Sequence, residues 1–182
     1  MKFRLLVGFT AIFAGAAAFA QTPPPPPPPA CTSPEFNQFD FWVGYWDVYP
    51  TGKDKLVGHS LIEKLYSGCT IRENWQPGNP LGGGSLNAYR PEEKLWKQIW
   101  TDSGNSWGVF EGRFENGSMV LAGTWEGLNG PGTKGFTRTT WTRNTDGSVR
   151  QFGEARSDDG KSWSPAFDFT YKKSASAPPK QL

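Results

Sequence analysis

The 182-residue sequence predicts an all-β domain, an up-and-down antiparallel β-barrel of about ten strands. Three observations carry that expectation. Turn signals recur along the chain: Asn116-Gly117, Asp146-Gly147 and Asp159-Gly160 tolerate positive φ and suit tight hairpins, and Thr51-Gly52, Ser67-Gly68 and Pro91-Glu92-Glu93 fill other gaps. The runs between them are rich in Trp, Phe, Val, Thr and Tyr and carry no sustained 3.6-residue apolar period. Connections this short make successive strands antiparallel neighbours. An open meander of that kind leaves exposed edges, which closure into a barrel removes. A β-sandwich needs longer crossovers, and the longest connection, Gly127 to Lys134, is still short.

In chain order, residues 1–20 read as an export signal. Lys2 and Arg4 precede an uncharged apolar run that ends in Ala18-Phe19-Ala20, the small-residue pattern of a signal-peptidase site. The run falls short of the roughly 20 residues of a membrane span, so no membrane-spanning segment is expected after cleavage, and the expected location is secreted, in the periplasm. Residues 21–34 read as a tether, with seven consecutive prolines from Pro23 to Pro29 giving a polyproline II spacer of roughly 20 Å. The domain is expected over 35–173 and a disordered tail over 174–182. Strands are expected at 39–49, 55–66, 69–76, 82–90, 94–102, 105–115, 118–126, 134–144, 148–157 and 162–172, with a short helical turn over 34–38.

Composition narrows the function. The net charge of +2 belongs to Lys2 and Arg4, so the processed chain is neutral and no nucleic-acid partner is expected. The single His excludes a His-pair metal site. After the four phenylalanines of the signal are removed, 9 Trp, 9 Phe and 5 Tyr remain, enough for one well-filled core.

Alternation assigns faces. With Lys97 in water, Trp96, Gln98 and Trp100 point inward. The same period groups Cys69, Ile71, Glu73 and Trp75, pairs Asn87 with Tyr89, and groups Trp163, Pro165, Phe167, Phe169 and Tyr171. Rings beside amides suit a ligand-lining surface, and they equally suit a packed core whose polar groups satisfy one another. Asn87, Tyr89, Trp96, Gln98 and Trp100 are the candidate ligand-binding residues. The partner so expected is a small, partly apolar or aromatic molecule. The competing reading is a structural or surface module with a packed interior, a carbohydrate binder if Trp107, Trp125 and Trp163 are exposed.

Cys31 and Cys69, an even pair in an exported chain, are expected to form a disulfide. No Gly-x-Ser-x-Gly elbow accompanies His59, and Gly82-Gly83-Gly84 has no following Lys to make a phosphate loop. Glu73 and Glu154 are the carboxylates a glycosidase would need, and pairing with Arg138 or Arg143 is the plainer role for them. No catalytic residue is assigned.

The opening Phe39-Asp40-Phe41-Trp42-Val43-Gly44-Tyr45-Trp46-Asp47-Val48 contains a Gly44-x-Trp46 step that resembles the Gly-x-Trp of lipocalin and calycin barrels, in which the Trp plugs the barrel floor. Together with Ile62-Glu63-Lys64, Gly68-Cys69, Glu73-Asn74-Trp75, Ser85 to Tyr89, Trp96 to Asp102, Arg138 to Thr142 and Gly147 to Gln151, the chain resembles the DUF1579-type secreted bacterial proteins. That resemblance implies a lipocalin-like barrel over nearly all of 35–173 and carries no activity. Related barrels that bind haem hold its iron through one His, so a haem reading depends on His59; otherwise no cofactor and no metal are expected. A shorter likeness, Asp158-x-Gly160-x-Ser162-Trp163, resembles the Asp-box of sialidases and is read as turn chemistry, with the Asp accepting backbone N–H groups and the Trp packed beneath.

Overall fold

The computed structural model describes residues 31–176 and residue 178. The expected export signal lies outside the described residues, as do positions 21–30 of the tether and most of the tail. Cys31 to Pro34, expected in the tether, belong to the domain instead: Cys31 is bonded to Cys69, and Pro34 opens a 3-10 turn, Pro34–Asn37.

Ten strands follow: β1 (Gly44–Pro50), β2 (Gly58–Leu65), β3 (Thr70–Pro77), β4 (Gly83–Arg90), β5 (Leu95–Asp102), β6 (Trp107–Glu115), β7 (Ser118–Glu126), β8 (Lys134–Arg143), β9 (Val149–Arg156) and β10 (Trp163–Lys173). Each pairs with its neighbours in sequence, and β1 pairs with β10, so the sheet is a closed up-and-down antiparallel barrel. The turn chemistry acts as expected between β6 and β7, where Asn116 and Gly117 have φ of 49° and 79°, the two positive values of a type I′ hairpin.

The chain before β1 departs from expectation. Residues 39–43 were expected to begin the first strand, but Asp40–Trp42 form a second 3-10 turn. At about three residues per turn, Phe39 and Trp42 fall on the same side, and both are fully buried. Phe39 stacks on Trp42 at 4.9 Å and meets Trp141 edge-on at 5.3 Å and Trp96 at 5.8 Å. Burying two large rings outweighs extending the strand. Gly44, with φ of 147°, turns the chain from this plug into β1; a Cβ there would lie 2.1 Å from Lys173 Nζ. Trp46 sits just inside, fully buried, donating from Nε1 to the Trp42 carbonyl at 2.8 Å, with Lys173 Nζ 3.9 Å from its ring centre. Gly44 and Trp46 thus stand at the floor of the barrel.

The second departure is in β10. The β9–β10 register shifts between Pro165 and Phe167, a bulge that moves one half of the strand to the other face. Phe167, Phe169 and Tyr171 face the interior. Trp163 and Pro165, expected to share that face, do not: Trp163 packs outside against Phe136 at 6.2 Å, with the Arg138 guanidinium 4.4 Å from its ring centre. In the preceding turn the backbone-accepting role expected of Asp158 is taken by Asp159, which accepts from Lys161 N at 3.1 Å and from Ser157 Oγ at 2.6 Å.

Glycines set how closely β6 and β7 approach. A Cβ on Gly123 would lie 2.0 Å from the Val109 carbonyl oxygen and 2.8 Å from Phe110 Cα, backbone atoms with nowhere to move. Gly123→Ala is therefore expected to cost about 2 kcal/mol through overpacking, read as a lower midpoint in urea at unchanged slope. A midpoint equal to wild type would refute this.

Candidate ligand-binding cavity

The two ends of the barrel differ. At the end where β1 begins, the plug, Trp96, Trp141, Met119, Leu121 and Val149 form a solid floor. Towards the other end lies a cavity of about 200 Å³, lined by Glu73, Trp75, Gln98, Trp100, Phe110, Trp125, Thr139, Trp141, Gln151, Phe167, Phe169 and Tyr171. Seven of these are aromatic residues other than tyrosine, and Trp75, Trp100, Trp125, Phe167 and Phe169 are half-buried, as rings at an open rim are.

The rim tryptophans are held from behind. Trp100, Gly108 and Trp125 lie side by side across β5, β6 and β7. The space left by the missing side chain at Gly108 is filled by the Phe110 ring, which meets Trp125 edge-on at 5.6 Å, and the two indoles stand 6.0 Å apart. Ser106 ties their edges together. Its Oγ accepts from Trp100 Nε1 at 3.2 Å and from Trp125 Nε1 at 3.3 Å, and donates to Asp102 Oδ2 at 2.5 Å. One hydroxyl thereby uses both acceptor positions and its one proton. Asp102 also accepts from Gly104 N at 2.9 Å and Ser106 N at 3.1 Å. Burial works to raise the Asp102 carboxyl, but these bonds outweigh it and hold it below the usual range. With their N–H edges bound to the loop, the two indoles hold fixed positions in the cavity wall.

The polar wall runs through β2 to β5 on one side. Glu73 is 5% exposed, with Ser60 Oγ donating to Oε1 at 3.1 Å and Ser85 Oγ donating to Oε2 at 3.2 Å. Asn87 donates to Ser85 Oγ at 3.0 Å and to the Ile71 carbonyl at 3.1 Å, and accepts from Gln98 Nε2 at 2.7 Å. From β10 the Tyr171 hydroxyl stands between Gln151 Oε1, 2.5 Å away, and the Glu73 carboxyl, and its one proton serves one of them at a time. Burial pushes the Glu73 carboxyl up to about 7, against hydrogen bonds from Ser60, Ser85 and Tyr171 that favour its charged form. Burial, and the Glu73 carboxylate beside it, push the Tyr171 hydroxyl well above its ordinary value.

Of the five candidate ligand-binding residues, Gln98 and Trp100 line the cavity. Asn87, the cross-strand partner of Gln98, is fully buried beside it and holds it in place. Trp96 and Tyr89 do not reach the cavity. Trp96 lies in the floor, donating to Gln38 Oε1 at 3.1 Å, and Tyr89 packs edge-on against Phe36 at 5.4 Å. All five point inward, as alternation requires, but the 3-10 turns fill the end that Trp96 and Tyr89 face. Phe110, Thr139, Trp141 and Gln151 were missed; their signal was cross-strand register, which a single strand's period does not contain.

The other singled-out residues scatter. His59 is on the outer face, its Nδ1 2.9 Å from Asp47 Oδ1 and its ring stacked on Tyr45 at 5.6 Å, so it does not line the cavity. Glu154 pairs with Arg138 on the outside at 2.7 Å, on the opposite face of the sheet from Glu73. Trp107 is exposed, whereas Trp125, expected near the surface with it, belongs to the cavity rim. Among the described residues no group of three or more His, Cys, Asp or Glu is placed to hold a metal ion, and no helix is long and apolar enough to cross a membrane. Compared with protein families and with curated proteins, the sequence matches none.

Proposed function

We propose that this chain is an exported, lipocalin-like binding protein that takes a small, partly aromatic molecule into the open half of its barrel. The observation that carries the reading is the cavity of about 200 Å³ above a solid floor, walled by aromatic rings and a few convergent polar groups. An apolar cavity of roughly 150 Å³ suffices for benzene, so the volume suits one ring with a short substituent. Export to the periplasm is supported by the sequence of residues 1–20 and by the Cys31–Cys69 disulfide, a bond that persists in oxidising compartments. The resemblance to DUF1579-type secreted proteins points the same way. No catalytic role is proposed.

The test fills the cavity from within. Thr139 is buried in its wall, and Thr139→Phe places a ring there. Tryptophan fluorescence of the wild-type chain is expected to titrate with millimolar phenyl-ethyl compounds, 2-phenylethanol among them, and the titration to vanish in Thr139→Phe while its circular dichroism stays that of a folded barrel. Equal responses from both proteins, or none from the wild type across the series, would refute the reading. Native mass spectrometry of chain purified gently from its own envelope would then give the mass of the resident molecule.

A further inference from the structure

The carboxyl of Glu73 is buried in the cavity wall without a cation. The ten ion pairs among the described residues involve other carboxylates, and the cavity lining contains no Lys, Arg or His. Buried carboxylates ordinarily keep a cationic partner. Around Glu73, β2 presents Ser60, β4 presents Ser85 and β10 presents Tyr171. Tyr171 is the one titratable group among these, and it stays neutral at physiological pH. The remaining walls are rings with Gln98, Thr139 and Gln151 between them. The N–H edge of Trp100 is committed to Ser106 and Asp102 and that of Trp125 to Ser106, while that of Trp141, at the floor, is buried without a partner. Ring faces are negative and attract cations, and at the rim Trp100 and Trp125 have their N–H edges, which an anion would use, bound to the loop behind them. The single carboxyl of the lining and the faces of the rim rings both favour positive charge.

We propose that the cavity takes a small organic cation, a protonated amine on a short apolar or aromatic body, with the Glu73 carboxylate as its counterion and the rim tryptophans over its charge. This rests on the ligand-binding reading above and adds the ligand's chemical class. The cation supplies the missing partner of Glu73, so its binding favours the ionised carboxylate and releases the proton held by the empty site. An amine titrating well above neutrality stays charged throughout, so the pH dependence of binding comes from the site.

Three probes of one shape and different charge test it: phenethylamine (cationic), 2-phenylethanol (neutral) and phenylacetate (anionic), titrated into the full disulfide-bonded chain by tryptophan fluorescence. At pH 8 phenethylamine is expected to bind at least tenfold more tightly than 2-phenylethanol, and phenylacetate most weakly. From pH 6 to pH 8 the phenethylamine affinity is expected to rise about tenfold as the competent, ionised fraction of Glu73 grows, while that of 2-phenylethanol stays level. In Glu73→Gln the cation preference is expected to disappear and the neutral probe to keep its affinity. Equal affinity for phenethylamine and 2-phenylethanol, or a preference for phenylacetate, would overturn the cation proposal and leave the cavity reading standing. No response from any of the three would overturn both. The wild-type pH series decides the question should Glu73→Gln fail to fold.

Discussion

Replacing Cys31 and Cys69 together by serine is expected to lower the unfolding free energy by about 4 kcal/mol in the chain-entropy account. The bridge joins residues 38 apart with Cα atoms 5.0 Å apart, so it closes a loop holding both 3-10 turns, β1 and β2. That loop is free in the unfolded chain without the bond. The bond also fastens the segment leading into the plug, in which Phe39 and Trp42 are fully buried. Denaturant unfolding of the oxidised wild type, the reduced wild type and the double serine variant measures the effect, with the last two expected to coincide. A difference below about 1 kcal/mol would mean that packing of the plug alone holds the N-terminal segment.

The second large effect is a pH dependence located at Glu73. Its carboxyl is raised from 4.5 to about 7 in the fold. The native state therefore keeps a proton that the unfolded chain has already released. The stability so contributed is fully present below pH 4.5, declines as pH rises, and is lost once pH passes about 7. At 1.36 kcal/mol per unit the whole change is about 3 kcal/mol. Glu73→Gln keeps the shape and cannot titrate, so its stability is expected to gain on the wild type by that amount between pH 4.5 and pH 8. Asp102, Asp146, Asp159 and Asp168, all held low by hydrogen bonds, act in both proteins and cancel in the difference. Urea unfolding of both proteins across the range measures it, and parallel curves would exclude the linkage.

The barrel was legible in the sequence because its determinants are local. Asn116-Gly117 fixes a hairpin by itself, and Trp96, Gln98 and Trp100 reveal their common face through a two-residue period. Local pattern did not extend to three things. Phe39 to Trp42 carry aromatic density that fits a strand as well as a plug, and only the rest of the barrel supplies the hole they fill. One extra residue between Pro165 and Phe167 reversed the face of Trp163, a change that alternation alone cannot register. Which inward residues surround space and which surround each other depended on where the plug stopped. Trp96 was thereby assigned to the floor and Trp100 to the cavity, although the two are alike in sequence context. Ser106 and Asp102 carried no periodic signal, since a turn that orients two indoles resembles any other polar turn.

The floor has one more consequence. β1 begins and β10 ends there, with Ser174 N bonded to the Tyr45 carbonyl at 3.0 Å and Cys31 fastened beside β3. Both ends of the described chain therefore leave from the base of the cup. An affinity tag, a fluorophore or a bead joined before Cys31 or after Ser174 stands on the side away from the rim, so the protein can be immobilised by either terminus with its opening facing the solution.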